Sequence, residues 1–401
     1  MKKFAYFIVA LLILVVSLHG YAYLFSNFIL SSILDKLKNS SEFRISSIDQ
    51  NSSIFSTNLN FALKYKNFDL KFDIISHHSV ISIFNGIEII GSVDDLGRSF
   101  DMASGSNLEL SKKLAKFNLD IPINGGVSQL SGQISPVKII ENHNLFTISS
   151  IPFNATLDAE HLYFFNIGFD RMDFELDGIS GTFSGANLKI DYLDGLEFAN
   201  FDLFKLSPNE LNFSVENLRA SIAPINIVSD GIKFSSKTTT KNLANITSYL
   251  QSKGVMINGV MLGDIESKIR ANNLILDSYR VLFGSILGFK SVGLIDAFIS
   301  SKPILYVDKL GVSEFFDLKF SIISDGFEIR DVNLDGEFRA WRRISTLKGL
   351  EFLSFYENFL ISSGILIENG NGYIAKFKSH SQSGEIIFNN SMKFNDILAD
   401  F

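Results

Sequence analysis

Three patterns of apolar and polar positions succeed one another along the chain. The first is a nearly unbroken apolar run, Phe4 to Leu30, FAYFIVALLILVVSLHGYAYLFSNFIL, which only Ser17, His19, Gly20, Ser26 and Asn27 interrupt. A helix rises 1.5 Å per residue, so ~20 apolar residues cross a hydrocarbon layer of ~30 Å, and this run is long enough. Phe4, Phe7, Leu11, Leu14, Val15 and Leu18 are the expected lipid-facing anchor. Lys2, Lys3 and the amino terminus hold the start on the cytoplasmic side; Lys36, Lys38 and Arg44 oppose that bias. Gly20-Tyr21-Ala22 offers small residues for a signal-peptidase cut after Ala22. Beyond it, Leu24, Phe25, Phe28, Ile29, Ile33, Leu34 and Leu37 continue at helical spacing, which favours an uncleaved signal-anchor with an amphipathic extension to Lys38.

The second pattern has period two. Leu59, Phe61, Leu63 and Tyr65 alternate with polar residues, and after Lys66-Asn67 the alternation resumes as Phe68, Leu70, Phe72 and Ile74. That is a hairpin with one apolar and one wet face. Phe316, Leu318, Phe320 and Ile322 repeat the scheme, as do Leu211, Phe213 and Val215, whose phase then slips to Leu218, Ala220 and Ile222. The slip predicts a bulge or a turn at Glu216-Asn217. Asp-Gly begins at Asp177, Asp194, Asp230, Asp325 and Asp335, and Asn-Gly at Asn85, Asn124, Asn258, Asn369 and Asn371. Such pairs tolerate the positive φ of tight hairpin turns, so they read as turns of an antiparallel sheet. Short helices are expected at Lys112–Phe117 and Asp277–Phe289.

The third pattern is helical again, from Arg343 to Ser363, with Ile344, Leu347, Leu350, Leu353, Tyr356 and Leu360 three or four apart and Gly364 as terminator. Two short strands, Tyr373–Phe377 and Ile386–Phe388, then close the chain, with a short helix from Asn395. The expected fold is mainly β (α+β): an N-terminal transmembrane helix (1–38), long curved antiparallel sheets (39–340), and a C-terminal helix with a closing hairpin (341–401).

Composition changes this picture little. The chain has 401 residues, 46% of them hydrophobic, enough for a substantial core, and its net charge of −7 opposes non-specific nucleic-acid binding. The absence of cysteine removes disulfides, thiolate catalysis and cysteine metal sites. The 39 phenylalanines accompany many Lys, Asn, Ile and Ser, the signature of AT-rich codon usage, and do not by themselves indicate a lipid pocket.

The tail carries a resemblance. A terminal helix, Gly364-Ile365-Leu366, a strand, and then Ser383-Gly384-Glu385-Ile386-Ile387-Phe388-Asn389-Asn390-Ser391-Met392 resemble the end of the YdgA-like bacterial envelope proteins, a family grouped as a domain of unknown function. Its ending has the form Gly-x-[apolar]-x-[apolar]-Asn-Gly-x-x-Met, and Asn390 stands where the family has glycine. Ile54-Phe55-Ser56-Thr57 and His78-Ser79-Val80 are similar to two further family stretches, without the glycines and the proline found there. The resemblance implies a protein of the bacterial inner membrane, single-pass, N-terminus cytoplasmic and bulk periplasmic, and brings no catalytic residues.

Motifs for chemistry are missing: there is no GxGxxG, P-loop, GxSxG or HExxH. His77 and His78 near Asp73 are two adjacent residues that point to opposite faces of a strand, and they read as solvated turn histidines rather than metal ligands. Asp94-Asp95 reads as part of a turn. Trp341, beside Arg342 and Arg343, reads as packing at the junction with the terminal helix. No catalytic residue, cofactor or metal is expected. The leading functional class is a membrane-tethered structural or protein-interaction component of the envelope. The alternative is a carrier or scaffold that holds lipid in an apolar sheet trough. An envelope hydrolase is a third class, for which no motif speaks.

Overall fold

In the computed structural model all strand pairings described are antiparallel, and most join strands that are neighbours in sequence. The structure describes residues 2–38, 43–65, 68–95, 107–110, 113–123, 125–141, 144–197, 206–278, 297–298, 300–312, 315–324, 332–379, 385–389 and 392–393. The chain forms two compact units, Met1–Asp177 and Gly178–Phe401.

The first unit begins with α1, one continuous helix Lys2–Lys38. Strands β1 (Phe43–Ser52), β2 (Ser56–Tyr65), β3 (Phe68–His77) and β4 (Ile87–Asp95) follow as a meander, with a one-turn helix α2 (Ser82–Asn85) before β4. Next come β5 (Asn107–Leu110), β6 (Lys113–Ile121), β7 (Ser128–Ile134), β8 (Val137–Glu141), β9 (Asn144–Ile148), β10 (Ile151–Leu157) and β11 (His161–Leu176). These are fewer strands than their labels suggest. Phe153 of β10 faces Ile167 and Ile148 of β9 faces Met172, one unbroken register along β11. Likewise β7 and β8 run in one register along β10 and β9. Each such pair is a single long strand nicked at its middle. The meander therefore needs no crossover, which is what turn-linked neighbours in sequence dictate.

Side chains directly opposite in a ladder share a face. One face of this unit is mainly apolar: Leu59 lies opposite Ile74, which shares its face with Ile89, and Ile89, Leu119, Leu130, Ala155 and Phe165 lie successively opposite one another. α1 covers its first part, where Leu30 and Leu34 meet Leu59, Phe61, Leu63, Ile74, Ile87 and Ile89. Glycines make room for phenylalanines on this face. Phe117 lies opposite both Gly91 and Gly132, and Gly132 also lies opposite Phe153. A Cβ on Gly91 would stand 2.1 Å from the Phe117 ring, and one on Gly132 2.4 Å from the Phe153 ring.

The second unit is a longer meander: β12 (Ile179–Glu197), β13 (Asn209–Ile222), β14 (Ile225–Thr240), β15 (Ala244–Ile257), β16 (Val260–Leu274), β17 (Ile304–Val312), β18 (Phe316–Ser324) and β19 (Val332–Ala340). Segment 341–366 then leaves the sheet and returns. β20 (Ile367–Asn369) and β22 (Ile386–Phe388) both pair with β21 (Gly372–Ser379), which extends the ladder beyond β19, and β23 (Met392–Lys393) pairs with β22. Leu188, Phe213, Phe234, Leu250, Ser267, Leu310, Leu318, Phe338 and Ala375 lie successively opposite one another, so this sheet too has one apolar face.

The expected irregularity at Glu216-Asn217 exists, and it is not a turn. β13 keeps one register with β14 from end to end. Gly185 and Gly231, on the two flanking strands, take positive φ of 61° and 87°, and Gly254 on β15 takes 58°. Ile225 and Ile257, beyond this line, pack in the same core as Val312 and Leu347. The apolar side thus stays on one face while adjacent strands change phase together.

Other expectations need correction. Arg343–Ser363 is not one helix: two 3₁₀ turns, Ile344–Thr346 and Glu351–Leu353, precede α3 (Ser354–Ser362). Gly349 at φ 83° breaks the run, and this lets Leu347 and Leu350 enter the core while Phe352, Phe355 and Tyr356 stay exposed. Gly364 does terminate α3, at φ 74°. The described part of the expected helix Lys112–Phe117, from Lys113 on, is not helical but opens strand β6, drawn in by the Phe117–glycine pairs. Of the Asp-Gly and Asn-Gly pairs, Asn258-Gly259 forms a two-residue turn with both φ positive, whereas Asp194, Asp230 and Asp335 lie inside strands. Gly336 is there for space, because its Cβ would stand 2.4 Å from the Phe377 ring and 2.6 Å from Phe320 Cβ. The expected helices over 279–289 and from Asn395 lie outside the described residues.

Candidate membrane-facing surface

α1 changes character along its length. Residues Leu11 to Val16 expose their side chains all around the helix, and Leu18 is half-buried. Phe4 and Phe7 lie in the same helix. From Ala22 onward one face is buried: Ala22, Ser26, Leu30 and Leu34, each four residues from the last. That seam lies between the expected apolar positions, since Leu24 and Phe28 are exposed and Phe25 and Ile29 pack at the margin of the core. Small residues, Ala22 and Ser26, bring the helix close to the sheet. The window Leu11–Ser32 is long and apolar enough to cross a membrane.

The polar residues that interrupt the apolar run are the ones that fasten it. His19 Nε2 lies 2.6 Å from the Ile54 carbonyl oxygen. Ser26 and Ser76 hydroxyls share a buried hydrogen bond of 2.6 Å. Asn27 Oδ1 accepts from Gln50 and from the Thr57 hydroxyl, both at 3.3 Å. Buried polar groups cost free energy unless paired, and here each pairs across the helix–sheet boundary. Sequence reasoning marked these positions only as interruptions, because their partners lie 23 to 50 residues away.

His78 completes this junction and corrects an expectation. It is 1% exposed rather than solvated, in edge contact with the Tyr23 ring and 3.3 Å from the Thr57 hydroxyl. Burial first, and then the neighbouring His19, hold its imidazole below the ordinary histidine value. His77 points to solvent, and Asp73 pairs with Lys71 at 2.9 Å. Among the described residues no group of three His, Asp or Glu is placed to hold a metal. Asp94 and Asp95 end strand β4 instead of forming a turn. Trp341 is half-exposed just after β19, its amide bonded to the Phe315 carbonyl.

The wet face of the second unit is a lattice of ion pairs. Arg270 grips Asp308 through two bonds of 2.7 and 2.8 Å and lies over the Tyr306 ring. Lys237 pairs with Glu210, Lys309 with Glu266, and Glu337 with Arg339. A depression of about 560 Å³ between β17, β18, β19 and β21 is lined by Asp308, Lys319, Glu337 and Lys376, each already in such a pair. Exposed pairs of this kind add little to stability.

Two polar nodes escaped sequence reasoning. Asp158 closes the β10–β11 turn, accepting from the Glu160 and His161 amides and the Tyr163 hydroxyl at 2.7–2.8 Å. The Glu160 amide, then the Tyr163 hydroxyl, lower its carboxyl to about 2. Glu357 of α3 is buried and accepts from the Ser345 amide at 3.1 Å, from the Ser345 hydroxyl, and from the Tyr373 hydroxyl at 2.9 Å. Burial pushes its carboxyl up, but the Ser345 and Tyr373 bonds together outweigh it and leave the group below its ordinary value. Burial and Glu357 drive the Tyr373 phenol upward. Asn389, in the tail motif, uses its whole amide: Oδ1 accepts from the Lys376 amide, and Nδ2 donates to the Gly364 and Ile365 carbonyls. It bridges the gap between β20 and β22 at φ 50°.

No protein-family model, curated protein or solved structure matches the chain.

Proposed function

We propose that this is a single-pass protein of the bacterial inner membrane, N-terminus cytoplasmic and β-rich bulk periplasmic, with a structural or protein-interaction role in the envelope. The observation that carries the reading is the division of α1. Leu11 to Val16 are apolar and exposed on all sides, as lipid requires, and the second half is locked to a sheet by buried side chains. A helix continuous through both halves makes a stiff tether, so whatever binds the sheet is held at a set height above the bilayer. The tail resemblance to the YdgA-like envelope proteins points the same way.

The apolar file of the second unit favours the alternative, a carrier of lipid or another amphiphile. Between the core under Leu347 and Leu350 and that around Leu206, Ala244 and Leu274, the side chains of Phe213, Phe234, Leu250 and Leu318 are only half-buried. A contiguous apolar strip of that kind marks a binding surface. A photoreactive phenylalanine analogue at Phe234 and Leu318 of the full chain, irradiated in cells, separates the readings. A discrete protein-sized adduct supports the interaction role, and an adduct of lipid mass supports the carrier. Recovery of the chain in the soluble fraction contradicts the tether itself.

A further inference from the structure

We infer that two hairpin ends of the first unit insert into the outer leaflet of the same bilayer that α1 crosses, forming with the helix a three-point membrane footing. The inference rests on the reading of α1 as a membrane span and adds to it a second contact made by the sheet.

Four large apolar side chains stand out from otherwise polar loops. Ile54 and Phe55, between β1 and β2, are 69% and 66% exposed; Ile81 and Phe84, at α2 between β3 and β4, are 66% and 79% exposed. Leaving such groups in water is costly in proportion to the apolar area exposed. Their surroundings suit lipid. Neither Asn51–Thr57 nor Ser76–Ile87 contains a single Asp, Glu, Lys or Arg, so burial in an interface strips no formal charge.

Position selects the bilayer as the occupant. The two loops are joined by the His78 amide bonding the Phe55 carbonyl at 3.0 Å. Both are fixed to α1 at one level: His19 bonds the Ile54 carbonyl and meets the Phe55 ring, and Tyr23 meets His78. From Lys3, His19 and Tyr23 lie about 24 and 30 Å along the helix at 1.5 Å per residue. With the lysines at one surface of a ~30 Å hydrocarbon layer, that level is the opposite boundary. The outward face of α1 stays apolar through this level, with Tyr21, Leu24 and Phe28 exposed. Exposed aromatic and aliphatic side chains of helix and loops thus lie where interfacial anchors belong.

The chain lacks cysteine, so single labels are unambiguous. The full chain would be made as Phe55→Cys, Phe84→Cys, Leu14→Cys and Lys64→Cys, each labelled with an environment-sensitive fluorophore and placed in phosphatidylethanolamine–phosphatidylglycerol vesicles. Lys64 is at the other end of β2 from the loops. Nitroxide lipids should quench labels at 55 and 84 at least twofold, as they quench the label at 14, and leave the label at 64 near its starting intensity. Quenching at 14 without quenching at 55 and 84 overturns the footing and leaves the anchor standing. Absence of quenching at 14 overturns the anchor, and the footing with it. Equal quenching at 64 and 55 also overturns the footing, since the loops then lie no nearer lipid than the far end of the strand. Circular dichroism matching the parent confirms that each labelled chain is folded.

Discussion

Glu357 brings three donors to one buried carboxylate, and its effect on stability has a definite sign. Its folded value lies below the ordinary one near 4.5, so the folded state binds fewer protons than the unfolded state. Its contribution is complete above the ordinary value and is lost as pH falls through the folded value. Acid should therefore loosen segment 341–366 from β21, and Glu357→Gln should remove most of that pH dependence while lowering stability at neutral pH. Denaturant midpoints of both chains between pH 7 and pH 3 measure this; parallel curves for the two would contradict it. At this scale little was legible. Glu357 and His78 are defined by partners brought from elsewhere in the fold, and a lone glutamate in an apolar segment has the same spelling whether it faces water or three donors. The Asn389 motif could be read as a turn from its sequence, but its bonds to Gly364 and Ile365 could not.

Strands were the most legible elements, because period two survives any register, and each clear alternation at Leu59–Tyr65, Phe68–Ile74 and Phe316–Ile322 is a strand. Glycine was harder to read. Asp-Gly inside β14 and β19 has the same spelling as a turn; only the neighbouring strands show that Gly231 sits on a line of phase changes and Gly336 under two phenylalanines. The phenylalanine count, attributed to codon usage, has at least this structural use. Gly132→Ala tests it: the new Cβ would lie 2.4 Å from the Phe153 ring and 2.5 Å from the Lys116 carbonyl oxygen. Overpacking of this kind costs ~1–3 kcal/mol. Chemical denaturation of the variant should show such a loss, and an unchanged midpoint would mean the pairing is not tight. The terminal helix was over-read because its spacing is helical on both sides of Gly349. One left-handed residue redirects the chain without altering the pattern of leucines.

At the scale of the whole molecule, two one-sided meanders and one long helix account for the apolar composition without disulfides. Apolar faces lie along both sheets, and the second half of α1 covers the start of the first. The sequence shows that α1 is long and apolar enough to cross a bilayer. It does not show that Ala22, the residue before the candidate cleavage point, is fully buried against the sheet, nor that His19 is bonded to the β1–β2 loop. A cut there would remove part of the packing that holds the first unit together. The account of a stiff, retained tether therefore stands or falls on the amino terminus of the mature protein. Intact-mass measurement of the chain recovered from alkali-washed membranes tests it most directly. The account predicts a chain that keeps the residues before Ala22 and resists the wash. A chain that begins at Tyr23 and appears in the soluble fraction would contradict it.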